Sequence, residues 1–144
     1  LKFIFLPLFQ NSNMSPSSYT IENKDNFILI TILESKFTAK VSPDLKAELA
    51  ILKSQSVKNI IIDLEKANYC DSSGLSAILV ANRICKEANG CMVICNLQNA
   101  VEKLIEISQL DSVITITPTL NEAVDFIFMD ELEKGLGDFD EELD

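Results

Sequence analysis

The chain of 144 residues contains no histidine and no tryptophan, and only four glycines. Without histidine a serine lacks its usual base, and neither a Gly-x-Ser-x-Gly elbow nor a motif supporting a serine–lysine pair replaces it. No catalytic residue is therefore expected, and the chain does not read as an enzyme. Four glycines supply neither a P-loop nor a dinucleotide fingerprint, so no cofactor is expected either. Positive charge is also scarce: 12 Lys and Arg stand against 22 Asp and Glu, with no basic run. Nucleic acid and anionic membranes both require concentrated positive charge, which removes them as partners.

The four cysteines, Cys70, Cys85, Cys91 and Cys95, contain no Cys-x2-Cys pair, and with histidine absent no metal site is expected. In "CMVIC" a strand would place Cys91, Val93 and Cys95 on one face. Buried thiols in a reducing cytoplasm account for this usage. Long apolar runs are missing as well. The opening "LKFIFLPLF" is broken by Pro7, lacks a small-residue cleavage site, and falls far short of the roughly 20 apolar residues that span a bilayer. Direct membrane insertion is not expected.

With 47% hydrophobic and 24% charged residues, the chain suits one globular domain. Charge is uneven along it. From Asp130 onward eight acids and one lysine carry net −7, whereas the 14 acids and 11 bases before them carry net −3. Residues 1–18 read as a disordered or non-native extension, with Met14 as a start that fits. Residues 19–129 form the domain, and 130–144 are expected to be a disordered acidic tail.

Residues 19–23 and "FILITIL" (27–33), separated by the turn formers of "NKDN", predict a hairpin. Ser42 as N-cap, Pro43 and Asp44 then open a helix to about Ser54, with Leu45, Leu49 and Leu52 on one face. "KNIIIDL" (58–64) has the continuous β-branched character of a buried central strand. A helix to about Ala88, a break at Gly90 and the strand "CMVICNL" follow. Asn99 with Glu102 predicts a capping box for a third helix through Ile107. After the strand "SVITIT", Thr119 with Glu122 predicts another for a final helix, whose apolar stripe is Leu120, Ala123, Val124 and Ile127. Such alternation implies right-handed crossovers and a small mixed, mostly parallel α/β sheet.

The stretch "YCDSSGLSAIL" (69–79) joins strand to helix. Asp71 or Ser72 can cap the free N–H groups there, and Gly74 permits a close turn. Ala77, Ile78, Ala81, Ile84, Cys85 and Ala88 make the expected core stripe. Ser72, Leu75, Ser76 and Leu79 recur at i, i+3, i+4 and i+7 on a second face, where two leucines beside two hydroxyls would form a small docking surface. A phosphoryl group on Ser72 would sit at the positive end of the helix dipole, and beside Asp71 it would make the surface strongly negative. Asp63, at the end of "IIIDL", is a weaker acceptor, since Glu34 alone follows the earlier strand where a metal-holding acid cluster would be needed.

"IIIDLEKANYC", "DSSGLSAIL" and "GCMVICNLQNAVEKLIEISQLDSVITITPTLNEAV" together resemble the STAS domains of bacterial anti-sigma factor antagonists, from about Tyr19 to Phe128. The resemblance implies a single STAS-like domain with helices packed mainly on one side of the sheet. It further implies phosphorylation at Ser72, a site shaped by Asp71, Ser73 and Gly74, and partner contact through Leu75, Ser76 and Leu79. The implied partners are an anti-sigma factor that is also a serine kinase of the histidine-kinase-like ATPase type, and a serine phosphatase. The Gly-x-Leu-Asp turn frequent in that family is replaced within "ESKFTAKVSPDL" by Ser35 and Thr38. A second role that the resemblance allows is a STAS subunit of a membrane lipid-transport or other signalling complex.

Overall fold

The computed structural model describes residues 18–143, with side chains through residue 136. Strands β1 (Tyr19–Asn23) and β2 (Ile28–Ile32) form the expected antiparallel hairpin, Tyr19 opposite Ile32, closed by Lys24 N–H donating to the Phe27 carbonyl at 2.9 Å. Strands β4 (Ile60–Asp63), β6 (Met92–Cys95) and β7 (Thr115–Thr117) then add in parallel, giving the order β1-β2-β4-β6-β7. Two short strands, β3 (Lys36–Phe37) and β5 (Tyr69–Cys70), pair in parallel as a separate ribbon.

Both faces of the main sheet are covered, which explains the continuous apolar strands. Ile28, Ile30, Ile32, Ile60, Ile62, Met92 and Ile94 point to one core. That core is completed by helices α1 (Ser42–Ser54), α2 (Ser72–Glu87) and α3 (Asn99–Ile107). The alternate residues Leu29, Ile61, Val93 and Cys95 point the other way, onto Ala123 and Ile127 of helix α4 (Leu120–Leu143). Three helices on one face and one on the other is the expected arrangement. Cys91 joins Val93 and Cys95 on the α4 side, as the strand period required.

Several local expectations are corrected. Ser42 is the first residue of α1 and not its cap: Val41 holds the cap position without a side-chain bond, and the Ser42 hydroxyl is engaged elsewhere. Asn99 likewise lies inside α3. Gln98 takes the cap position with extended backbone and donates its side-chain amide to the Glu65 carbonyl at 2.6 Å, so the Asn99–Glu102 box does not form. Before α4 the Thr119 hydroxyl does accept from Glu122 N–H at 3.2 Å, as predicted.

The largest correction concerns the tail. α4 runs on without a break past Met129, so residues 130–143 are helical where disorder was expected. Asp130 and Lys134 pair at 2.7 Å one turn apart, Lys134 donates to the Asn89 carbonyl at 2.8 Å, and Glu131 accepts from the Asn59 amide at 2.8 Å. These ties anchor the helix beneath the start of β4, a tertiary effect that composition does not show. Of residues 1–18, read as an extension, 1–17 lie outside the described residues, and the Ser18 carbonyl accepts from Leu33 N–H at 2.8 Å beside the hairpin.

Candidate functional site

Asp71 stands between β5 and α2 with extended backbone (φ −114°, ψ −169°). Its Oδ1 accepts from the N–H groups of Ser73 at 2.9 Å and Gly74 at 3.1 Å, filling two of the free donors of the first turn. The Asp71 N–H in turn donates to the Phe37 carbonyl at 3.4 Å, tying α2 to the β3 ribbon. The Ser42 hydroxyl donates to the Ser73 carbonyl at 2.8 Å, which pins the start of α1 to the start of α2. Gly74 is needed for close approach: a Cβ there would collide with the Phe37 carbonyl and lie 2.7 Å from Cys70 Sγ.

Within this frame Ser72 is exposed and Ser73 half-buried. The two adjacent hydroxyls are thus unequal in access, Ser72 being the more accessible. Beside them Lys36 and Tyr69 are register partners across the β3–β5 ribbon, both exposed, with Tyr69 at 50%.

The family model for the STAS domain matches residues 18–123. This chain belongs to the STAS domain family. It is 27% identical over 94 residues to BtrV of Bordetella bronchiseptica, assigned as an anti-sigma factor antagonist, covering 65% of this chain and 81% of that one. Its fold is similar to that of the anti-sigma factor antagonist SpoIIAA in unphosphorylated form (TM-score 0.66, 22% identity, 76% of this chain and 95% of that one). The phosphorylated form of SpoIIAA from Bacillus matches at TM-score 0.61 with 21% identity, over 76% of this chain and 98% of that one. A sulfate transporter family protein from Wolinella succinogenes also shares the fold, at TM-score 0.65 and 12% identity, over 76% of this chain and 90% of that one.

In this STAS domain the second face of α2 differs from expectation. Leu75 is 8% exposed and belongs to the main core, while Leu79 and Ser76 are half-buried and Leu79 packs against the same core. Two solvent-facing leucines do not flank the serines. The reason is tertiary: α2 lies over β4 and β6 and is also flanked by α1, so its buried arc is wider than one stripe. The first stripe holds, with Ala77, Ile78, Ala81, Ile84 and Cys85 buried and Ala88 at its margin.

The remaining candidates are structural. Asp63 accepts from Glu65 N–H at 3.0 Å and from the Asn96 amide at 3.1 Å, which holds the ends of β4 and β6 together. Among the described residues no group of three or more acids and cysteines could hold a metal, and no helix is long and apolar enough to cross a membrane. Burial pushes the Cys70, Cys85, Cys91 and Cys95 thiols up to about 12, so they stay protonated and unreactive near neutral pH. Sequence reasoning missed Ser42, Phe37 and Tyr69. An aromatic residue directly before the Cys-Asp-Ser-Ser run was the one available signal, whereas the other two act through contacts between distant segments.

Proposed function

We propose that this chain is a phosphorylation-controlled protein-binding switch. Unphosphorylated, it binds an anti-sigma factor that is also a serine kinase of the histidine-kinase-like ATPase type; phosphate on Ser72 ends that binding, and a serine phosphatase restores it. It acts in the cytoplasm by binding alone and catalyses nothing itself. The observation that carries this reading is the exposed Ser72 at the first position of α2, directly after an Asp71 cap whose backbone bonds are already made. A phosphoryl group there adds about −1.5 to −2 charges at the positive end of the helix dipole, which tolerates them. The fold keeps its bonds while the surface gains negative charge and bulk. Partner contact then falls on Ser72, the accessible parts of Ser76 and Leu79, and the exposed Tyr69 and Lys36, with Leu75 acting from beneath by holding the helix in place.

Incubation of the protein with its cognate kinase and ATP, followed by mass spectrometry, tests the assignment. Phosphate is expected on Ser72 and absent from Ser72→Ala, which retains partner binding; Ser72→Asp weakens binding. Phosphate on Ser73, or on no serine, overturns it. A second reading is a STAS subunit of a membrane lipid-transport or other signalling complex, since the fold is shared with a sulfate transporter family protein. Co-purification with a membrane transporter in place of a kinase would decide for it.

A further inference from the structure

The outer face of α4 carries an inference independent of Ser72. Up to Ile127 this helix is amphipathic in the ordinary sense, with Leu120, Ala123, Val124 and Ile127 against the sheet. From Phe128 onward the sense inverts. Asp130, Glu131 and Lys134 face the domain: Asp130 pairs with Lys134, Lys134 donates to the Asn89 carbonyl, and Glu131 accepts from the Asn59 side chain. Phe128, Met129, Leu132 and Leu136 fall within about 100° of one another on the opposite side, and are 54%, 54%, 48% and 63% exposed. A helix that is apolar toward solvent while its polar side is spent on the domain is built to be covered twice.

Charge selects the occupant. Glu122, Asp125 and Glu133 border the apolar strip and are exposed, and Lys134, the one base between Leu120 and Asp144, is turned inward. A second copy would bring two acidic faces together, and an anionic membrane would repel this one. We propose that the outer face of α4 docks a basic amphipathic helix of a partner protein, apolar strip on apolar strip with lysines or arginines against the flanking acids. Because α4 and α2 lie on opposite faces of the sheet, this contact is separate from the Ser72 site.

The probe is a roughly 18-residue Leu/Lys peptide patterned as an amphipathic helix, compared with a scrambled peptide of the same composition by fluorescence anisotropy against the full chain. The patterned peptide is expected to bind saturably and the scrambled one at least about tenfold more weakly. Leu132→Ser with Leu136→Ser, with unchanged far-UV circular dichroism, loses about tenfold in affinity; Asp125→Lys with Glu133→Lys does so through charge with the apolar strip intact. Ser72→Asp binds the peptide as the unmodified chain does, which keeps the two sites distinguishable. Equal binding of the scrambled peptide would show tail charge alone and overturn the proposal. So would a dimer in sedimentation that Leu132→Ser dissolves, peptide binding that appears only after Phe3→Asp with Phe5→Asp frees the strip from the chain's own N-terminal segment, or binding to neutral phosphatidylcholine vesicles instead of the peptide.

Discussion

Replacing Gly74 by alanine sets two rules against each other. In a helix, alanine is favoured over glycine by about 1 kcal/mol, so propensity alone predicts that Gly74→Ala stabilises α2. The structure predicts the reverse, because the new methyl group would meet the Phe37 carbonyl and stand 2.7 Å from Cys70 Sγ. A backbone oxygen cannot swing aside as a long side chain does, and this one also accepts the Asp71 N–H. Forcing a methyl group into a packed contact costs about 1–3 kcal/mol, and a backbone neighbour puts this site near the upper end. Against the gain in propensity, the net loss is about 2 kcal/mol, or a Tm lower by roughly 5–10 °C for a domain of this size. Thermal and urea unfolding followed by circular dichroism measure it, and a lower Tm with reduced partner binding would show the β3 ribbon pushed away from Ser72. An unchanged or raised Tm would refute the close-contact account and leave Gly74 as a conformational preference only.

Three other outcomes follow from the packing. Asn59→Ala removes the amide that joins the Asn26 carbonyl, the Cys91 N–H and Glu131; at about 1–3 kcal/mol per buried group left unpaired, urea unfolding should show a loss of about 2–4 kcal/mol and circular dichroism a frayed end of α4. Leu75→Ala should cost about 2–5 kcal/mol, as for other buried leucines, and a loss below about 1 kcal/mol would return Leu75 to the surface. Stability should fall at alkaline pH: burial raises the Cys70, Cys85 and Cys95 thiols from 9.0 to about 12 and the Tyr19 phenol from 10.0 to about 12. Between those values the unfolded chain has released protons that the native state retains, so stability is full below about pH 9 and is lost toward pH 12. Urea midpoints at pH 7, 9, 10 and 11 would show the decline, and a flat series would contradict it.

Much of the fold was legible because its signals are local. "FILITIL", "KNIIIDL" and "CMVICNL" announce buried strands by composition, and Asp71 and Thr119 announce helix starts by the bonds their side chains make with nearby backbone. Where the local signal competed with a tertiary partner, it failed. Ser42 is diverted to the Ser73 carbonyl, Gln98 takes the cap position in place of Asn99 and reaches Glu65, and the start of the acidic run after Met129 is held against the domain by Asn59 and Asn89.

At the site, a capped helix start at Asp71 or Ser72, the adjacent hydroxyls and the exclusion of histidine-dependent catalysis were readable in advance, since each depends only on residue type and near-neighbour spacing. Packing between distant segments then makes Asp71 the cap, leaves Ser72 exposed and Ser73 half-buried, draws Leu75 into the core, and requires Gly74 to leave room for the Phe37 carbonyl. Access and burial depend on what α1, the β3 ribbon and the sheet bring against α2 from elsewhere in the chain. A helical wheel shows which residues share a face, and the neighbours determine which face meets water.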